Sequence, residues 1–448
     1  MRFHNITSVG VRHVRFDIQD VDLSLVNSLR RTIIADVPTA CFVPDNKHCL
    51  AAGADDALPP ASTVNPETWK RPYAPPTIEI LRNTSVHNNE FIADRVGLVP
   101  VHFDEAELLD IMDNKVQWRF TLKARNGSGT VSKDVTSKDF VGTRDGAPLT
   151  REDLSRLFPP DPFTGHHILI ITLRPPSLDY PDGEDIELVC RPWVGTGSED
   201  ARWTPTSKCT FGFRVDERAA ELALEELLRA AVDANATEVE MQQLRHDFQV
   251  VGRQRCYSRS VKGGGGGPQG YHFEIKSEFG LSPEYLVFKG LRVLRAKVSS
   301  LSENLLSAKE PVPGLTQAVS VTALPVPGMF EFTVAHEDHT LGNLVQSLVY
   351  NYYCPKGQDT TAQAGSQGFV LDMIGYTRPH PLEDCIIIRI KLSPIISCTM
   401  EDAKQFLSKA LLTVLQELDS VTTEWVSFSG LHTRGIRDVS AFSEITYA

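Results

Sequence analysis

Asp22-Leu23-Ser24-Leu25-Val26-Asn27-Ser28-Leu29-Arg30-Arg31-Thr32-Ile33-Ile34-Ala35-Asp36-Val37, closed by Pro38, decides the fold because the chain writes it twice. Leu25, Leu29 and Ile33 fall four apart, so an apolar stripe runs down a helix of about three turns. The second copy is Asp338-His339-Thr340-Leu341-Gly342-Asn343-Leu344-Val345-Gln346-Ser347-Leu348-Val349. Its stripe is Leu341, Leu344, Val345 and Leu348. Both copies obey Asp-x-(Ser/Thr)-Leu-x-Asn, in which the hydroxyl is expected to cap the first turn while the aspartate sits against the positive helix end.

A second correspondence follows each copy in the same order. Phe273-Glu274-Ile275-Lys276 alternates like a strand, and Ser282-Pro283-Glu284 opens a long helix with proline at its tolerated first position. That helix carries Val287, Leu291, Leu294, Val298, Leu301 and Leu305 on one face. In the second copy Ile386 to Leu392 is the strand, and Thr399-x-x-Asp402 forms a capping box. The helix behind it presents Ala403, Phe406, Leu407, Ala410, Leu411, Val414, Leu415 and Leu418. Neither copy hides its stripes alone, so the pattern predicts an α+β pseudo-dimer of two related halves. Its core is expected to hold Leu25, Leu29, Ile33, Leu341, Leu344, Leu348, Phe406 and Leu411.

At 448 residues the chain is long enough for two or three domains. A formal net charge of -12 argues against an autonomous nucleic-acid binder, which needs a basic stripe to neutralise phosphates. Arg2, His4, Arg12 and Arg15 interrupt the early apolar runs, so no signal peptide is expected, and no stretch is long and apolar enough to span a bilayer. Cys41, Cys49, Cys190, Cys209, Cys256, Cys354, Cys385 and Cys398 lack short spacings and read as thiols of a reducing compartment.

Residues 11–18 suggest an edge strand leading into the first helix. Prolines and alanines dominate 44–76, which reads as a surface insertion. Strands are expected at 77–86, 116–124, 166–174, 185–191 and 208–215, with a short helix from Glu90 to Pro100. The first copy spends more than 200 residues between its short helix and its 273 strand, where the second spends about 20 from its helix end to Phe369. A strand-rich domain at 44–204 therefore interrupts the first half, which comprises 1–43 and 205–309. Residues 217–232 form an acidic amphipathic helix expected on the surface of that half. Gly263 to Gly267 is a flexible loop, 310–328 a Pro/Gly linker, and 329–448 the second half with a C-terminal tail at 423–448.

Candidate chemistry is sparse. His336-Glu337-Asp338-His339 with His380 is the densest group of metal-ligand types, and an independent metal-dependent enzyme built on His336, His339 and His380 is the competing reading. Against it, the cluster duplicates Asp20-Val21-Asp22-Leu23, which lacks the ligands. Gly265-x-Gly267-x-x-Gly270 has dinucleotide spacing, but a strand follows where a helix is required. No catalytic residue, metal or cofactor is expected. Arg30-Arg31 is the more telling pair, because Gln346-Ser347 stands at the corresponding turn of the second copy. The arginines thus give the first half a charged surface that the second lacks.

Asn27 to Thr39, Asn83-Thr84-Ser85-Val86, Glu90 to Pro100 and Gly195 to Pro205 closely resemble the third-largest subunit of eukaryotic RNA polymerase II and the archaeal D subunit. Glu337 to Asn343 and Gly375 to Arg389 are similar to the smaller partner, the eleventh subunit or archaeal L. The resemblance implies two subunits fused in tandem, equivalent to the bacterial α dimer, as in large nucleocytoplasmic DNA viruses. It implies a non-catalytic assembly platform holding the largest and second-largest subunits, accompanied by small zinc-bearing subunits, without direct specific nucleic-acid binding. Carried onto matching positions, Arg30, Arg31, Glu90 and Arg95 are expected at the subunit interface, with the arginine pair facing the second-largest subunit and the second half facing the largest. Localisation would be the host cytoplasm and virion, or the host nucleus. No cysteine cluster follows Pro100, so the zinc site of many cellular relatives is not expected, and Asp94 stands where the family usually has histidine.

Overall fold

The computed structural model describes residues 2–44, 75–127, 130–178, 181–257, 268–306, 319–354, 370–393 and 398–447. Most of the expected 44–76 insertion, the Gly263–Gly267 loop, Cys49 and the first part of the expected linker lie outside these residues.

The chain opens with β1 (Phe3–Ser8) and β2 (His13–Gln19), an antiparallel hairpin, followed by α1 (Leu23–Ala35). β2 alternates Val14, Phe16 and Ile18 inward and is flanked on both sides, so it is an interior strand, not the expected edge; β1 takes the edge. Asp22, not Ser24, caps α1: its carboxylate accepts from the Ser24 amide at 2.8 Å and from the Ser24 hydroxyl at 2.5 Å. The carboxylate wins because it adds charge to the hydrogen bond at the positive helix end. Leu25, Leu29 and Ile33 are at most 2% exposed, and burying three such side chains contributes about 5–9 kcal/mol.

The next segment runs β3 (Thr39–Cys41), β4 (Ile78–Asn83), α2 (Asn89–Gly97), α3 (Glu105–Met112), β5 (Trp118–Arg125), β6 (Lys133–Thr136), β7 (Phe140–Arg144), β8 (Ala147–Pro148), α4 (Arg151–Leu157), β9 (Leu169–Leu173), β10 (Asp185–Cys190) and β11 (Trp193–Gly195). Five of its strands form a sheet in the order β4-β10-β5-β7-β8, while β3 pairs with β11 and β6 with β9. Capping boxes at Asp104/Glu107 and Thr150/Asp153 start α3 and α4, two short helices that hydrophobic spacing alone did not reveal.

β12 (Thr206–Phe213) then leads through α5 (Glu217–Asp233) and α6 (Glu238–Asp247) to β13 (Gly270–Ser277) and α7 (Pro283–Leu306). α5 packs on α6, and a bridge from Val215 to Tyr257 closes the base of the pair. Only Ala220 and Ala231 of α5 are buried, while Leu222 and Leu227 stay exposed, so the helix is half of a hairpin rather than a layer laid on the first half.

The second repeat starts earlier than expected. β14 (Val319–Ala323) occupies part of the supposed 310–328 linker, because Val319 and Val321 face the core despite the flanking prolines. β15 (Met329–Ala335), α8 (His339–Tyr353), β16 (Val370–Thr377), β17 (Cys385–Ser393) and α9 (Met400–Ser429) follow. α9 continues into the supposed tail, where it buries Trp425 and Val426, and α10 (Arg437–Tyr447) folds back behind it.

The two repeats have one topology. The first sheet is β1-β2-β13-β12 and the second β14-β15-β17-β16, all antiparallel. Arg15 lies opposite Glu274 in one register, and Glu331 opposite Arg389 in the other. Both pairs are bonded, at 3.0 Å and 2.7 Å, with the signs of the charges exchanged between the strands. α1, α7, α8 and α9 pack together between the sheets, and one continuous core contains Leu29, Leu344, Leu291 and Leu411. The resulting architecture is a mixed helix and sheet fold.

Candidate functional site

The seam between α1 and α8 is built from helix caps. Asp338 caps α8, accepting from the Thr340 amide at 2.8 Å, and the same carboxylate receives Arg31 Nη2 at 2.9 Å. Arg31 Nε donates to the Thr340 hydroxyl at 2.9 Å. At the opposite end Asn351 of α8 donates to Asp22, the cap of α1, at 2.7 Å. Between them the Ser28 hydroxyl donates to the Thr340 carbonyl at 3.1 Å in a buried position. Each helix thus offers its capping carboxylate to a donor of the other, the antiparallel arrangement that also suits the two dipoles. Burial alone would raise the Asp338 carboxyl; Thr340, Arg31 and Lys297 together hold it below its ordinary value.

Lys297 of α7 lies beneath the seam, 3.2 Å from Asp36 and 3.4 Å from Glu337. The Glu337 side chain is only 3% exposed. Burial would lower the lysine, but Glu337 and Asp36 outweigh it and raise it, so the ammonium is kept charged. Sequence reading missed this residue, since a lone lysine within an apolar stripe carries no signal until its carboxylates are brought to it.

α9 reaches across to the first sheet. Trp425 is fully buried, donates its indole N–H to the Glu284 carbonyl at 2.9 Å, and packs on Phe16 and Phe3 with ring centres 4.6 and 5.0 Å apart. Arg2 bonds Glu424 and Ser420 of the same helix, each at 2.9 Å. Phe406 and Leu411 lie in the shared core, with Leu25, Ile33, Leu341 and Leu348.

The expected docking residues separate. Arg30 is half-buried, and its guanidinium is held by the Asn27 side chain at 3.0 and 3.2 Å. Arg31 reaches Asp338 and Thr340 at the rim of the seam, each at 2.9 Å, with its side chain about two-fifths exposed. Glu90 and Arg95 lie on α2, whose neighbours are β4 and β9. Glu90 accepts from Asn88 at 3.1 Å, while Arg95 donates to the Leu169 carbonyl at 2.7 Å and lies over the Phe91 ring. Phe91 of α2, Leu98 at its C-terminal cap and Leu169 of β9 are exposed.

The histidine cluster is drawn apart by its own contacts. His336 Nδ1 is 2.7 Å from Asp384, Glu337 faces Lys297, Asp338 caps α8, and the His339 ring lies against Tyr376. His380 Nδ1 accepts from the Leu382 amide at 3.1 Å. Among the described residues no group of three His, Cys, Asp or Glu side chains is placed to hold a metal ion. Of the described cysteines, Cys41, Cys190, Cys209 and Cys354 are buried, and burial pushes the Cys209 thiol up to about 12.

Two sheets of like strand order, with α1, α7, α8 and α9 packed together, make a mixed helix and sheet fold. Residues 15–298 match the family described as the RNA polymerase Rpb3/Rpb11 dimerisation domain, and the chain belongs to that family. It is 26% identical over 215 residues to subunit 3 of the DNA-directed RNA polymerases II, IV and V of Arabidopsis thaliana, covering 46% of this chain and 54% of that subunit. Similarity to subunit RPAC1 of the DNA-directed RNA polymerases I and III is more extended. In Saccharomyces cerevisiae it is 23% over 332 residues, 66% of this chain and 85% of the relative. In Homo sapiens it is 24% over 340 residues, 68% and 86%. No described helix is long and apolar enough to cross a membrane.

Proposed function

We propose that the chain is a non-catalytic assembly platform of a multisubunit DNA-directed RNA polymerase, in which two α-like halves are fused in tandem and paired as a pseudo-dimer. The first half comprises 1–43 and 205–309, interrupted by the strand-rich segment at 44–204, and the second begins at Val319. The observation that carries this reading is the reciprocal exchange of capping carboxylates between α1 and α8, in a chain of the dimerisation-domain family. Relatives named as polymerase subunits support the complex to which it belongs. Nucleotidyl transfer falls to the largest and second-largest subunits, the magnesium-bearing partners. Small zinc-bearing subunits complete the assembly.

Fusion makes the pairing intramolecular, at an effective concentration on the order of millimolar. Assembly then does not wait for two chains to meet. The tandem arrangement ties the chain to large nucleocytoplasmic DNA viruses, with transcription in the host cytoplasm, the virion or the nucleus.

The docking faces are unlike. On the first half we assign Arg30, Glu90 and Arg95 to the second-largest subunit; the largest docks on the second half. Affinity purification from its native source, with identification of the co-purifying chains, tests the reading. Arg30→Glu leaves the Arg31–Asp338 contact intact and is expected to lose the second-largest subunit while the chain stays folded. Recovery of that subunit at wild-type stoichiometry overturns the interface assignment.

A further inference from the structure

The last helix meets two parts of the chain that lie far from it in sequence. Gly430 and Gly435, with φ of 70° and 67°, turn the chain out of α9, and α10 then seats Val439 and Phe442 in buried positions. The Phe442 ring centre is 5.9 Å from that of Phe288 on α7, and the Arg292 guanidinium lies 4.9 Å from it. Arg437 and Asp438, adjacent in sequence, reach different elements. Arg437 Nη2 donates to Asp113 at 3.0 Å and Nη1 is 3.5 Å from Asp110, at the C-terminal end of α3 in the strand-rich segment. The last turn of α3 has no basic residue of its own, and a cation there suits the helix dipole. Asp438 accepts from the Tyr285 hydroxyl at 2.9 Å and from Lys289 at 3.0 Å, both on α7. The third side of the triangle joins α3 to α7 directly. Glu105, in the first turn of α3, accepts from the Ser282 amide at 3.0 Å and its hydroxyl at 2.5 Å, where α7 begins.

We propose that α10 is a latch: the end of the second half clamps the strand-rich segment, through α3, onto α7 of the first half. Two sides of the triangle run through α10, and both are lost when it lifts. The latch is weaker than the core around it. Its ion pairs are partly exposed, with Arg437 half exposed, and such pairs contribute little each, so α10 opens locally at well below the cost of global unfolding. Closed, it fixes the setting of α3 against α7. The same segment carries α2, so the presentation of Glu90 and Arg95 is governed from the far end of the chain. That last consequence rests on the docking assignment above, whereas the latch itself rests on the contacts of α10 with α3 and α7.

Hydrogen exchange of the full chain, read by mass spectrometry with no partner subunit present, tests the latch separately from the docking assignment, which co-purification reads. Arg437→Glu sets a carboxylate against Asp110 and Asp113. It is expected to speed exchange roughly tenfold in α10 and roughly threefold in α3 and the first turns of α7, while β15 and β17 keep their wild-type rates. Tyr285→Phe removes one hydroxyl on α7, alters no charge and leaves the Arg437 contacts in place. By loosening α10 it is expected to speed exchange in α10 and in α3 roughly fivefold. The latch requires α3 to respond in both variants. Exchange that quickens in α10 alone, or nowhere, in either variant overturns the proposal. If Arg437→Glu unfolds the chain outright, the response of α3 to Tyr285→Phe decides.

Discussion

Replacing Trp425 with alanine tests whether the two repeats share one core. The indole is fully buried, touches Phe3 and Phe16 of the first sheet and donates to the Glu284 carbonyl at 2.9 Å. Truncating a buried tryptophan costs about 3–5 kcal/mol. Leaving the Glu284 carbonyl without its donor adds about 1 kcal/mol, for a total near 4–6 kcal/mol. Trp425→Phe keeps most of the ring packing and loses the hydrogen bond, so about 1–2 kcal/mol is expected. Urea denaturation followed by circular dichroism measures both, and hydrogen exchange locates the loss. Because α9 belongs to the second repeat and its contacts to the first, protection should fall in β2, β13 and α7 together with α9. A change below about 1 kcal/mol for the alanine variant, or protection lost only after Val319, would refute the shared core.

Arg31→Glu sets a carboxylate against Asp338 at the α8 cap and should destabilise the chain by about 1–2 kcal/mol, whereas Arg31→Gln should cost less than about 1 kcal/mol; paired melts distinguish them. Burial holds the His102 imidazole down at about 4, with Arg12 and Arg156 adding to the effect against Glu278 and the Phe279 backbone. Its unfolded form titrates near 6.5, so its contribution is fully present above that pH and lost as pH falls toward 4, a fall of about 3 kcal/mol; stability measured from pH 7 to 4 should be flatter in His102→Phe. A Cβ on Gly342 would come within 2.4 Å of the Tyr376 ring, so Gly342→Ala should destabilise by about 1–2 kcal/mol despite its better helix propensity, as read by thermal denaturation. Metal analysis of the purified chain is expected to find no stoichiometric transition metal lost on replacing His336, His339 and His380; such a metal would revive the enzyme reading.

The helices of both repeats were legible because their stripes persist for several turns and their starts carry acidic and hydroxyl residues. Which of those residues caps was not legible, since aspartate and serine both satisfy the preference and only geometry chooses Asp22. The contacts of Arg31 could not be read from its own helix, because Asp338 and Thr340 lie more than 300 positions away. The supposed tail shows a different limit. Trp425 and Val426 continue the buried face of α9 beyond position 422, and a reading confined to the family resemblance stopped short of them. β14 was hidden by the prolines around it, although Val319 and Val321 alternate. The candidate site was partly visible in Arg30 and Arg95, while Lys297 and Glu337 acquire meaning only when three helices meet.

The unequal connections inside the two sheets have a practical consequence. Between β12 and β13 the first repeat carries an entire helical hairpin, yet between β16 and β17 its twin makes do with the turn from Arg378 to Asp384. That place in the sheet tolerates extra cargo without disturbing strand order. A fluorescent or affinity module grafted within that turn would therefore report on the assembled particle from a location for which the molecule has already supplied its own precedent.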